Sequence, residues 1–225
     1  MNKIKPSVIL FDVNETLLDM KPLKQKVNNL LGSKGFRIWF GMLLHYSLVD
    51  NCTNQYHDFS ALAAATLDMA CKALDKAITE NEKTDALSVI KKLKPHADVE
   101  KGLTILKAKG LRLAALTNST ENVLIEQLTN GNLMPYFEKA LSIDSIKKYK
   151  PALETYAWAA EQLSVNPADI VMVAAHGWDI AGASFAGLQT AFIDRKGQSL
   201  YTLSSKPDFS GKDLIEVANA ITGKN

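Results

Sequence analysis

The sequence predicts an α/β fold: a parallel-sheet core interrupted after its first strand by an inserted α-helical cap. Three observations carry this reading. Val8, Ile9, Leu10 and Phe11 form an unbroken apolar run that ends on a carboxylate, Asp12, the pattern of a strand buried on both faces. From about residue 95 onward, short apolar runs alternate with helix-period segments, which implies a parallel sheet with right-handed crossovers. Between the two, residues 18–93 show helical patterning with no convincing strand. The expected division is a core of 1–17 and 94–225 and a cap of 18–93.

Within the cap, helices are expected over 23–31, 38–49, 59–74 and 86–93, separated by Gly32, Gly35 and the polar stretch 50–58. The core then resumes with a helix over 99–109, which Gly110 stops, and a strand over 111–116. A helix over 122–129 leads to a short strand at 140–143, and a helix over 153–163 leads to the wholly apolar strand 170–175. A helix over 178–186 stops near Gly187, and 190–193 is the last expected strand.

Composition narrows the function. A chain of 225 residues with 47% hydrophobic and 22% charged residues is that of an ordinary globular enzyme. A net charge of +2 with scattered Lys and Arg gives no nucleic-acid surface. No apolar run approaches the roughly 18–20 residues that span a bilayer, so no membrane partner is expected. Residues 1–6 run directly into the first strand, so no signal peptide is expected. Cys52 and Cys71 stand outside any CxxC pattern and read as reduced packing thiols. A cytoplasmic enzyme is the expectation. His45, His57 and His96 have no partners at metal-ligand spacing.

The chemistry is expected at the carboxyl ends of the strands, where open α/β sheets bind ligands. Polar clusters follow four of the strands: residues 12–16, beginning with Asp12; Thr117, Asn118 and Ser119; Lys150 and Pro151 with Tyr156; and His176, Gly177, Trp178 and Asp179. A carboxylate at such an edge can attack carbon or phosphorus and form a covalent ester.

These residues resemble the haloacid dehalogenase (HAD) superfamily, whose pattern is a strand-end Asp, a strand-end Ser or Thr, a Lys and a final acidic motif. The fold implied is a HAD-type, Rossmann-like core with a helical cap. Leu116 to Ser119, Tyr149-Lys150-Pro151 with Tyr156, and Trp178-Asp179 before Gly182-Ala183 are similar to the L-2-haloacid (type II) dehalogenases. In the cap, Phe36-Arg37 and the stretch from Tyr56 to Phe59 look like that branch's pocket elements. The resemblance implies an (S)-2-haloacid dehalogenase that acts on short 2-haloalkanoic acids without metal or organic cofactor and gives (R)-2-hydroxy acids. It also implies a homodimer formed through the cap.

The implied roles follow the motif positions. Asp12 is the nucleophile, Lys150 keeps it ionised and aimed, and Thr117 donates to the substrate carboxylate or to Asp12. Asn118, Arg37 and the edge of Trp178 cradle the halide. Val13, Asn14, Phe59 and Tyr156 complete the expected binding set, and Phe59, Trp39 and Met42 form an apolar wall. Asn14 separates two chemistries, because phosphatases of the superfamily carry an acid two residues after the nucleophile. Asn has no ionisable proton to give a leaving alkoxide, whereas a departing halide needs none. The chain departs from the branch's usual Ser and Asn at Ala174 and His176, and from a small residue at Glu15. His176 oriented by Glu15 is therefore the expected base for the hydrolytic water, with Asp179 as its support or its rival. The alternatives are a phosphatase acting on a small phosphate ester, and a non-catalytic descendant that binds a small acid or a protein.

Overall fold

A computed structural model describes residues 5–223. Among these residues six parallel strands form one sheet in the order β3-β2-β1-β4-β5-β6. The strands are β1 (Val8–Phe11), β2 (Arg112–Thr117), β3 (Lys139–Ser142), β4 (Ile170–Ala174), β5 (Gln189–Ile193) and β6 (Phe209–Gly211). The doubly wound order reverses between β1 and β4, and such a switch point opens a crevice at the carboxyl edge. Every side chain of β1 and β4 is buried, as central parallel strands require. Phe11 pairs with Ala115 on one side and Val173 on the other. Asp12 therefore leaves the sheet within one residue of the level at which Thr117 and Ala175 leave it.

Helices α1 (Lys21–Leu31), α2 (Gly35–Thr53), α3 (Phe59–Ala73) and α4 (Glu80–Ser88) lie between β1 and α5 (Val99–Ala108), and a short 3-10 turn, Val89–Lys92, follows α4. The core continues with α6 (Glu121–Asn130), α7 (Leu153–Leu163), α8 (Gly177–Phe185) and α9 (Leu214–Thr222). The helices of the first group reach the strand ends through polar contacts. Asn51 on α2 donates to the Tyr149 carbonyl at 2.8 Å and accepts from the Tyr149 N–H at 2.9 Å. The Tyr149 hydroxyl donates to the His57 carbonyl, and Tyr56 donates to Asp144.

Three expectations change. The helix expected over 86–93 begins six residues earlier, because Thr79 and Glu82 form a reciprocal capping box, and its tail is the 3-10 turn. β6 and α9 were not anticipated. β6 is three residues with no buried side chain, so it carries no apolar run to read. Cys52 is exposed and only Cys71 is buried, so Cys52 is not a packing residue. No helix among the described residues is long and apolar enough to cross a membrane.

Candidate active site

Asp12 is carried out of the sheet by the last ladder hydrogen bond of β1, from its N–H to the Val173 carbonyl at 3.0 Å. The following turn closes on Val13, whose carbonyl accepts from the N–H groups of Leu17 and Leu18 at 2.9 and 3.0 Å. Glu15 takes a left-handed backbone there, φ 65°, a conformation that costs a non-glycine residue roughly 1–2 kcal/mol.

Both Asp12 oxygens are held. Oδ1 accepts from Lys150 Nζ at 2.9 Å, and Oδ2 accepts from the Thr16 hydroxyl at 2.7 Å. His176 Nδ1 lies 3.4 Å from the same Oδ2. Thr16 is fixed in turn, since its oxygen accepts the Ala175 N–H at 2.9 Å and its carbonyl accepts from Arg195 at 2.9 Å.

Lys150 spends all three ammonium donors: on Asp12, on the Leu116 carbonyl at 3.1 Å and on Asp179 Oδ2 at 2.6 Å. Its backbone is clamped by the Asn118 amide, which accepts from the Lys150 N–H at 2.9 Å and donates to its carbonyl at 3.3 Å. Asp179 also accepts from the Tyr156 hydroxyl at 2.6 Å. Gly182 is required for this packing, because a Cβ there would sit 2.5 Å from Pro151 and 2.8 Å from the Tyr156 hydroxyl.

The electrostatics follow from one cation between two buried carboxylates. Burial pushes the Asp12 carboxyl up, but Lys150 and His176 outweigh it and hold the group well below the usual carboxylate range. For Asp179, burial together with the charge of Asp12 outweighs Lys150 and raises the carboxyl. Burial would lower Lys150, but Asp12 and Asp179 keep it above its ordinary value. Asp12 is thus held ionised at neutral pH.

A cavity of about 380 Å³ opens between the strand ends and α1 to α4. Of the residues picked out from the sequence, Asp12, Asn14, Phe59, Thr117, Asn118, Lys150, His176 and Trp178 line it, with Trp39 from the wall. Asn14 is tied into the wall at both ends of its amide. It accepts from Gln127 at 2.8 Å and donates to the Ser119 hydroxyl at 3.1 Å. His176 is stacked between Phe40 and Trp178, with ring centroids 6.3 and 5.3 Å away. The Trp178 indole N–H has no hydrogen-bond partner among the described residues.

The remaining expected residues stand elsewhere. Arg37 is exposed and does not line the cavity. The inward face of α2 repeats through Gly35, Trp39 and Leu43, and Arg37 falls about half a turn from it. Val13 is buried in the core away from the cavity, because alternate positions after a strand face opposite ways. Tyr156 does not reach the cavity and serves Asp179 instead. Asp179 is itself sealed off, with no exposed surface, which makes it a support for Lys150 and not a group that water can reach. Glu15 is close enough for the His176 charge to act on it, but no hydrogen bond joins the two and Glu15 does not line the cavity. Met42 is likewise replaced in the wall by Phe40, Leu43 and Leu44.

The sequence reading missed Thr16 as a site residue. The signal was available, a hydroxyl in the same polar turn as Asp12 and followed at once by buried Leu17 and Leu18. The cap side of the cavity carried no comparable local signal. Among the described residues no three His, Cys, Asp or Glu converge to hold a metal ion.

A doubly wound sheet with a helical layer over its carboxyl edge, and a buried Asp gripped by Lys and Thr at the switch point, defines a capped α/β core with an ionised carboxylate in its crevice. Comparison with known proteins makes this specific. The family model for haloacid dehalogenase-like hydrolases matches residues 9–193, and the chain belongs to that family. It is 31% identical over 189 residues to (S)-2-haloacid dehalogenase 1 of Pseudomonas sp. (strain CBS-3), covering 83% of each chain. It is 26% identical over 222 residues to the (S)-2-haloacid dehalogenase of Pseudomonas sp. (strain YL), covering 96% of each. The fold matches that of L-2-haloacid dehalogenase from Xanthobacter autotrophicus with chloropropionic acid covalently bound, with a TM-score of 0.88 at 22% identity over 98% of this chain and 100% of that one.

Proposed function

We propose that this protein is an (S)-2-haloacid dehalogenase that works through an aspartyl ester. The observation that carries the reading is Asp12 itself, an ionised carboxylate at the floor of a largely apolar cavity. Lys150 and Thr16 aim it, and beside it stands Asn14 where a phosphatase needs an acid. The named activity of the relatives points the same way.

In the first step an Asp12 oxygen attacks C2 of the bound 2-halocarboxylate from behind. The C2–halogen bond breaks, the halide leaves with the electron pair, and C2 inverts as the ester forms. Water excluded by Trp39, Phe40, Leu43 and Phe59 would otherwise blunt the nucleophile. The Asn118 amide and the Trp178 N–H, on two residues that line the cavity, are neutral donors available to the departing halide.

In the second step water attacks the Asp12 carboxyl carbon and the Cγ–O bond to the product breaks. With Nδ1 engaged to Asp12 Oδ2, Nε2 of His176 is the nitrogen left to take the water proton, and that proton passes to the product alkoxide to give the (R)-2-hydroxy acid. Lys150 and Thr16 stay in place to stabilise the oxyanion formed at Asp12. Glu15 supports the imidazolium through space.

Halide release from the separate enantiomers of 2-chloropropionate, with EDTA present, tests the reading. The S enantiomer alone should react, and Asp12→Asn should abolish the reaction. Release from neither enantiomer, with Mg²⁺-dependent hydrolysis of a phosphate ester instead, would replace it with the phosphatase reading.

The same reading carries two finer expectations. A homodimer through the cap is supported by Leu48, Val49 and Met69, which stand exposed on α2 and α3, and sedimentation at micromolar concentration tests it. Cytoplasmic residence is supported by the unpaired thiols Cys52 and Cys71.

A further inference from the structure

We infer that the cap side of the cavity is a tail subsite, and that the preferred substrates carry an extended apolar substituent on C2 in addition to the short acids expected from resemblance. This rests on the dehalogenase reading for the leaving group, but not for the tail.

The cavity is larger than the chemistry needs. At about 380 Å³ it falls in the range of roughly 300–1,000 Å³ that encloses drug-sized ligands. A water occupies about 30 Å³ of liquid, so the space equals roughly a dozen waters, several times a propionate. The ionisable groups gather together, at Asp12, Lys150 and His176. Above them the wall is formed by Leu23, Leu43, Leu44, Phe59, Leu87 and Ile90, drawn from α1, α2, α3, α4 and the 3-10 turn. Polar lining returns at Thr84, Ser88 and Lys91, where Thr84 is exposed and Lys91 is paired to Glu126 at 2.9 Å. The exposed Thr84 places an opening on the α4 side of the cavity. A substrate held by its carboxylate at the floor must send its C2 substituent along this apolar wall. Each methylene added there leaves water, which contributes about 0.8 kcal/mol or roughly a fourfold gain. An arginine or lysine free to bind a second anion is not part of the wall, so the favoured substituent is alkyl or phenyl.

The test has a kinetic arm and a binding arm. In the kinetic arm kcat/KM is measured for (S)-2-bromopropionate, 2-bromobutyrate and 2-bromohexanoate. It should rise by about fourfold per methylene, and the hexanoate-to-propionate ratio should fall at least about tenfold in both Ala63→Phe and Leu87→Trp, since Ala63 and Leu87 both line the cavity and the larger side chains fill it. Taking a ratio within each variant removes any loss of folded protein. In the binding arm Asp12→Asn is titrated calorimetrically with propionate, hexanoate and octanoate, and affinity should rise along the series. If no 2-bromo acid releases bromide but octanoate still binds more tightly than propionate, the tail subsite stands and the dehalogenase reading falls. If bromide is released but neither kcat/KM nor affinity grows with chain length, the subsite is overturned and the dehalogenase reading stands. A flat series in both arms with no bromide overturns both.

Discussion

At the scale of single residues, the site is governed by one ammonium shared between two carboxylates that water scarcely reaches. Removing one partner of such a buried group costs about 3–5 kcal/mol, because charge is left uncompensated. Lys150→Met should therefore lower the melting temperature by at least about 6 °C for a chain of this size, besides losing at least about a hundredfold in turnover. Calorimetry and a halide assay on the same preparation check both. Glu15 gives a prediction of opposite sign. Burial raises its carboxyl above the ordinary 4.5, against the His176 charge. A raised acid loses stability as pH rises from its unfolded value through its folded one, since ionisation is harder in the folded state. Glu15→Gln should therefore unfold at a higher temperature than the parent near pH 7 and show no such gain near pH 4. Asp12 runs the other way. Its contribution is present above the ordinary 3.8 and is lost only as pH falls below that value, so Asp12 is not the source of any loss of activity near pH 6. Asp12, Thr117 and His176 could be found from the sequence because each follows a buried strand, where a polar residue is conspicuous. Arg37 could not be placed that way, because the phase of α2 decides whether it faces the cavity, and two residues of shift reverse the face.

At the scale of elements, the end of β1 and the start of α8 make the catalytic edge. The backbone of α8 can approach the neighbouring loop only because residue 177 is glycine. A Cβ there would lie 2.3 Å from the Ser199 carbonyl, so Gly177→Ala should displace His176 and reduce turnover more than stability. On the cap side, α4 carries Thr84, Leu87 and Ser88 into the cavity lining, and its start depends on the capping box of Thr79 and Glu82. Thr79→Ala should cost about 1 kcal/mol, seen as faster amide exchange across Glu80–Ser88 with the sheet unaffected. The capping box is written in the sequence as Thr79 followed three residues later by Glu82, but the helix is expected from the helical pattern of 86–93 alone. β6 lacked any comparable pattern, being a three-residue strand paired with β5 in which no side chain is fully buried.

At the scale of the whole molecule, the fold class was readable because parallel strands buried on both faces leave long apolar runs between helical segments. The cavity was not readable, because its wall is assembled from helices far apart in the chain, and only their packing brings Leu23 and Leu87 to one space. The molecule divides its work accordingly, with a rigid sheet edge that holds charge and a helical layer that supplies apolar enclosure. The central claim is that Asp12 is the attacking group and becomes an ester. A single turnover of (S)-2-chloropropionate, run in heavy-oxygen water with the enzyme in excess, tests it most directly. The 2-hydroxy acid should leave with ordinary oxygen taken from Asp12, and the heavy oxygen should appear in the Asp12 carboxylate on peptide mass analysis. Heavy oxygen in the product, with Asp12 unlabelled, would mean that water attacks C2 directly and would contradict the account.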